Sequence, residues 1–315
     1  MVKLVGITLI LVLLCGALFL TQESFRTQQN TTNLTRQIAF LGIYSMGAGI
    51  VIITGGIDLS VGSMMGLVGV LLAMSLKDWG WPVVGGVTLC LGVTAFLGWL
   101  HGILITRVRL QPFIVTLCAL LIYRGIARYI TSDITKGFGN EFEGFKQLAN
   151  GTLGGLPVPL WIMLLFAFIM GVVVHLSVFG RHLFAVGGNE EAARFSGIPV
   201  NRIKIQAYTI AAVLTGVAGI LVSLYTNAVQ PASHGQSYEL YAVAAAVVGG
   251  CSLKGGEGTI IGVMLGAALL KVLSNGVNLL GIPTYLEFAV IGGVILLGAA
   301  ADEMVRMKWG KGRGT

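Results

Sequence analysis

Ten apolar stretches, each close to the ~20 residues that one helix needs to cross a bilayer core, take up most of this chain and leave it little else to be. They run approximately 4–20, 37–55, 57–76, 82–106, 112–131, 160–179, 206–226, 240–252, 258–275 and 284–301, and each is bounded by charge, Pro or a Gly cluster. Only 10% of the 315 residues are charged, whereas a soluble domain has roughly 25%, so the ions that would cover a water-facing surface are missing. The expected fold is all-α and polytopic, with one transmembrane unit over 1–315. The 240–252 run is short, and a single glycine pair separates 37–55 from 57–76. The first run resembles a signal peptide, but its length and the lack of an A-x-A-type site favour a first membrane helix.

The placement of Lys and Arg gives the helices a direction. With the N-terminus inside, the inner segments hold Lys3, Arg107, Arg109, Arg181, Arg194, Arg202, Lys204, Lys254, Arg306, Lys308, Lys311 and Arg313, twelve in all. The outer segments hold five: Arg26, Arg36, Lys77, Lys136 and Lys146. The positive-inside bias then places both termini in the cytoplasm and accounts for the net charge of +7 without a nucleic-acid partner. Cys15, Cys90, Cys118 and Cys251 are far apart, and His101, His175 and His234 are isolated. Neither set has the spacing of a metal site or a disulfide framework. The N-x-S/T sequons at Asn30, Asn33 and Asn150 are chance matches to a short pattern.

Three loops, 21–36, 132–159 and 180–205, are long enough to recognise something. The outer segment 132–159 carries mixed charge and a turn-rich end, and reads either as an outer cap or as a solvated connector. The inner segment 180–205 contains a short helix with signals at both ends. Asn189 can accept from first-turn N–H groups, Glu190 and Glu191 suit the positive helix end, and Gly197 before Pro199 stops it. Ala192, Phe195 and Ile198 put apolar groups on one side. A helix of two turns is not stable alone in water, so this stripe needs the membrane, the bundle or another chain.

Glycines recur as small-x-x-x-small pairs at Gly62/Gly66, Gly98/Gly102 and Gly262/Gly266, which let helices approach closely. A Gly-Gly-x-x-Leu-x-x-Gly pattern occurs twice, from Gly55-Gly56 to Gly62 and from Gly249-Gly250 to Gly256, each time ending one apolar run and opening another. Both copies fall on the inner side. Asp58, in the first copy, is the acid deepest in apolar sequence. It reads either as a cap on the third helix or as a coupling-ion site. Glu239 and Glu287, beside Tyr238, Tyr241 and Tyr285, read as part of an outer interfacial belt. No G-x-x-x-x-G-K-[ST] is present, so ATP hydrolysis by this chain is not expected, and no hydrolase signature appears.

Thr54 to Ser63, Gly180 to Ile198 and Val248 to Thr259, in that order and spacing, resemble the ribose-type permease subunits of bacterial ABC sugar importers. The resemblance covers about 36 to 303. It implies a non-enzymatic permease of the cytoplasmic membrane that binds no cofactor of its own. The implied partners are a cytoplasmic ATP-binding cassette subunit that holds ATP and magnesium, a periplasmic sugar-binding protein, and a second permease copy or paralogue. By the same resemblance Gly188, Asn189, Glu190, Glu191, Ala192, Ala193, Arg194 and Gly197 form the coupling helix. Gly55, Gly56, Asp58, Leu59, Ser60 and Gly62, with Gly249 and Gly250, mark the family signature near the translocation path. The competing expectation is an ion-coupled carrier with Asp58 as its site. No motif identifies a sugar site.

Overall fold

The computed structural model describes residues 2–283 together with 286, 289, 290, 292, 293 and 296. The expected run at 284–301, with Tyr285, Glu287 and the C-terminal cations, lies outside the fully described residues. Helices α1 (Val2–Thr21), α2 (Gln28–Ile53), α3 (Val61–Ala73), α4 (Val83–Thr106) and α5 (Pro112–Thr131) come first. A short α6 (Glu143–Asn150) precedes α7 (Val158–His175), α8 (Val178–Gly188), α9 (Glu190–Phe195), α10 (Val200–Thr226), α11 (Tyr238–Val248) and α12 (Ile260–Leu279). Among the described residues, eight helices are long and apolar enough to cross a membrane. Helix α3 reaches that length because a π-helical turn, Met74–Asp78, continues it.

Two expected runs change form. The 57–76 helix begins only at Val61, and residues 56–60 are non-helical although Asp58 and Ser60 are buried. The 240–252 run is the 11-residue α11, which at 1.5 Å per residue rises about 16 Å and so crosses only part of a ~30 Å core. Glycines end it early: Gly249 N–H bonds the Ala245 carbonyl, and Gly250, at φ +95°, turns the chain away.

Helices α2 and α10 form the axis of the bundle. In α2, 89% of the most apolar window is buried, against 6% for α1. Small residues make this possible. An added Cβ on Gly47 would stand 2.9 Å from the Ala211 backbone, and one on Gly98 would stand 2.5 Å from both Ala212 Cβ and the Tyr208 carbonyl. Gly102 meets Ile205 in the same way, at 2.5 Å, so α4 lies backbone to backbone on α10. Gly262 and Gly266 place α12 against Gly249 and Ala245 of α11. Lipid tails are as apolar as these side chains, so close packing rather than water exclusion holds such contacts together. The outward faces of α1, α4, α5 and α7 carry exposed Leu, Ile, Val and Phe, as lipid requires.

Segment 132–159 is an ordered cap on the end of the bundle away from α9. Two-residue strands β1 (Lys136–Gly137) and β4 (Ala228–Val229) pair antiparallel, as do β2 (Thr152–Leu153) and β3 (Leu156–Pro157). Lys77 pairs with Glu141 at 2.5 Å and Lys136 with Asp78 at 2.6 Å. Lys136 and Glu141 thereby tie the cap to the end of α3, while Asp133 pairs with Arg128 of α5. Phe138 is fully buried beneath it, and Arg36 donates to the Asn150 carbonyl at 3.0 Å.

Gly98→Leu is expected to overpack the α4–α10 contact by about 1–3 kcal/mol, lowering the thermal midpoint of the purified protein. Gly92→Leu, whose Cβ would meet nothing within 4 Å, is expected to leave that midpoint unchanged.

Candidate translocation and coupling site

The two glycine-pair motifs meet at the α9 end of the bundle, where three segments touch through backbone. Gly256 N–H donates to the Ile53 carbonyl at 2.9 Å. An added Cβ on Gly187, near the end of α8, would collide with that same carbonyl and stand 2.5 Å from Gly256 N. One on Gly255 would stand 2.6 Å from the Gly187 carbonyl and 2.9 Å from Gly55 N. Gly55 and Gly255, at φ +77° and +86°, hold left-handed conformations that side chains disfavour. The motifs are neighbours but not copies in form: α3 begins five residues after Gly56, whereas a turn-rich loop separates Gly250 from α12 at Ile260. Sequence reasoning missed Gly187, whose only signal was its place in the glycine pair before Asn189.

The segment expected to form the coupling helix leaves this junction directly. Asn189 caps α9, its side chain accepting from Ala192 N–H at 2.9 Å, and Gly197, at φ +82°, ends it. The stretch 180–205 is more than one short helix, since α8 fills its first part and α10 starts at Val200. Ala193 is buried and Ile198 is half-buried, so they seat the helix. Ala192 is exposed, and Phe195 is 91% exposed. Part of the expected apolar stripe therefore has no cover from this chain. Glu190 bonds Lys204 at 2.5 Å and Arg194 at 3.1 Å. Burial raises its pKa, but hydrogen bonds and charge from Lys204 and Arg194 outweigh that and hold the carboxyl below its ordinary value.

Asp58 is 3% exposed and accepts from both the backbone N–H and the hydroxyl of Ser60, at 2.8 and 2.7 Å. This is a local Asx-type turn set one step ahead of the helix, so Asp58 orients Ser60, the N-cap residue of α3, rather than the free N–H groups of its first turn. The carbonyl before it, on Ile57, accepts from Tyr208 at 3.2 Å and Thr116 at 3.4 Å. Asp58 also acts electrostatically on His101, Tyr123 and Tyr208, and His101 Nε2 lies 2.6 Å from the Tyr123 hydroxyl. Its ionisable neighbours are close in space though distant in sequence.

Glu239 is not placed as a belt residue. It accepts a backbone hydrogen bond from Gly62, in the first turn of α3, and lies within electrostatic reach of Arg124. Tyr238 beside it stacks on Tyr44 at 5.6 Å and 12°. Tyr44 lies nine residues along α2 from Ile53, about 14 Å from that end, so α11 starts inside the bundle. Gly62 and Gly66 accordingly pack on Gly235 and His234 and on the Arg124 side chain of α5, rather than backbone to backbone on a crossing helix.

These features define a helical membrane protein with broken helices at its centre and a capped helix projecting at one end. The sequence profile of the branched-chain amino acid transport system permease component matches residues 30–299, and the chain belongs to that family. It is 39% identical over 280 residues to the ribose import permease protein of Bacillus subtilis, covering 89% of this chain and 86% of the relative. The ribose import permease protein of Escherichia coli K12 is 38% identical over 281 residues, with 89% and 87% covered. The D-allose transport system permease protein of the same organism is 33% identical over 290 residues, with 91% and 87% covered. No solved structure matches significantly.

The ion pairs of Glu190 contribute stability that is present above the unfolded carboxyl pKa and lost as pH falls through the lower folded one. Hydrogen exchange over 190–198, corrected for its intrinsic pH dependence, is expected to quicken on acidification. Lys204→Gln is expected to move that onset to higher pH. Asp58→Asn keeps an acceptor for Ser60, whereas Asp58→Ala is expected to lose roughly 0.5–2 kcal/mol, the range of a lost helix cap, measured as a lower thermal midpoint.

Proposed function

We propose that this chain is the membrane-spanning permease subunit of an ATP-binding cassette importer and translocates a monosaccharide of the pentose or hexose class. The relatives named for ribose and D-allose supply the substrate class. The observation that carries the coupling half of the reading is α9, a capped and charge-anchored helix that presents Phe195 to water. An aromatic group exposed on a rigid helix, with polar neighbours around it, is the composition of an interface anchor.

In this reading the chain lies in the bacterial cytoplasmic membrane with about ten spans, both termini and α9 facing the cytoplasm. Gly188 to Arg194 and Gly197 seat in a groove of the cassette subunit, which holds ATP and magnesium and performs the hydrolysis. A periplasmic sugar-binding protein docks on the α6 cap, and a second copy or a paralogue completes the pore. No nucleic acid and no cofactor of the chain's own takes part. Closure of the cassettes pushes α9, and the α8 end carries that displacement to Ile53 and to 252–258 through backbone contacts. The signature segments then shift between two packings, and access alternates.

Vesicles containing the permease, the cassette subunit and the binding protein are expected to take up radiolabelled D-ribose or a related monosaccharide only with ATP, and to continue after ion gradients are collapsed. Uptake that survives ATP depletion and is abolished by Asp58→Asn would instead establish an ion-coupled carrier. Phe195→Glu is expected to weaken cassette co-purification by about tenfold or more, as loss of an interface anchor worth over ~1.4 kcal/mol requires. Glu191→Lys and Gly197→Leu are expected to act in the same direction. Full uptake and co-purification in all three would rule out the coupling role of α9.

A further inference from the structure

Gln230, Ser233 and Gln236, in the segment between α10 and α11, are exposed. Between α10 and α11 the chain pairs with the cap through β4 and then turns back into the bundle. Gly235 packs on the Gly62 backbone, and the His234 carbonyl lies 3.1 Å from where a Cβ on Gly66 would stand. Gly62 is fifteen residues along α3 and its π-helical continuation from Lys77, which places Gly235 about 20 Å from that end of α3 at helical rise, and about 10 Å below the cap strand β1, whose partner Val229 packs on Gly69. Arg124 Nη1 holds the segment by donating to the Pro231 carbonyl at 3.0 Å and the His234 carbonyl at 2.7 Å. Arg124 is itself seven residues before the end of α5 at Thr131, roughly 10 Å from it.

Gln230 and Ser233, just below the cap strand, and Gln236, at the level of Gly62, are exposed, and Arg124 and Glu239 are half-buried. Ser233 donates to Gln230 at 2.8 Å, and the Gln236 side chain has no hydrogen-bond partner among the described residues. Non-helical backbone at membrane depth is tolerated only where protein buries it or where it borders water, and amides and charges there carry the same requirement. The segment's own exposure excludes full burial by this chain. We propose that 230–237, with Arg124 and Glu239, forms the floor of a water-filled sugar passage open towards the α6 cap, with Gln236 as a substrate-contacting side chain. The substrate class rests on the monosaccharide reading above; the passage rests on the depth and exposure of these residues.

The chemistry fits a sugar. The guanidinium has five N–H donors, of which Nη1 serves the two carbonyls. The Glu239 carboxylate accepts from Gly62 with further lone pairs to offer, and the Gln236 amide both donates and accepts. Planar donors and acceptors of this kind suit adjacent sugar hydroxyls. A cation and an anion set together at one level favour a neutral polyhydroxyl solute over an ion of either sign.

The test uses the complete importer in vesicles, in a background carrying Cys15→Ala and Cys118→Ser, with buried Cys90 and Cys251 as the unreactive baseline. Ser233→Cys and Gln236→Cys are each expected to react with a membrane-impermeant, hydrophilic maleimide added on the cap side about a hundredfold faster than Leu121→Cys on the exposed apolar face of α5, because the reactive thiolate forms only in water. Gln236→Ala is expected to lower sugar flux about tenfold, while ATPase stimulation by loaded binding protein stays unchanged. Reaction at the Leu121→Cys rate in both cysteine variants overturns the passage, as does unaltered flux in Gln236→Ala with Ser233→Trp also transporting normally. Fast labelling together with no uptake of any pentose or hexose by the unsubstituted complex overturns the substrate class alone. The two cysteine positions guard against misfolding of either one.

Discussion

Much of this structure depends on the carbonyl of Ile53. It is the last residue of the most buried helix, and in lipid an orphaned carbonyl costs several kcal/mol. Gly256 N–H satisfies it across 203 positions of sequence, and Gly187 crowds close enough that no side chain fits between. One polar requirement thereby ties the end of α2, the loop before α12 and the end of α8. The capped helix α9 begins two residues later, so force applied to it enters the bundle through backbone rather than through side chains that can change rotamer. Packed backbones of this kind shift as units between discrete arrangements.

The breaks in α3 and α11 follow from the same requirement. A helix that stops at mid-depth exposes its first N–H groups, and here Glu239 accepts from Gly62. Asp58 takes the N–H of Ser60 one step ahead of them. Their charges sit at the positive end of a helix, where the macrodipole favours them. Arg124 does the complementary work on the returning 230–237 segment by taking two carbonyls. The few charges within the apolar part of this chain thus close backbone groups that irregular structure would otherwise leave open.

Much of this could be read in the sequence. Length and hydropathy located the crossing helices, in places to within a residue or two, as at 82–106 and 112–131. The Asn189 cap and the Gly197 stop were legible because capping is local chemistry. The junction was only half legible: Gly55, Gly56, Gly249 and Gly250 stood out as pairs, but nothing in a linear chain says that Gly187 will meet them. Glu239 was misread for a related reason. At the head of an apolar run an acid looks interfacial, and only the inward turn of 230–237 carries that head to the level of Tyr44. Arg124 is visible in the sequence as a cation inside an apolar helix, but its targets are carbonyls more than a hundred residues away.

The exposure of Phe195 also bears on how the cell handles this chain. A subunit inserted without its partner displays an aromatic side chain in water, on a rigid helix that cannot fold it away. Such a surface resembles the transiently exposed apolar patches that make incomplete proteins prone to aggregation. Docking hides it. The same contact that transmits force would then report whether assembly has finished, leaving surplus copies open to chaperones and proteases.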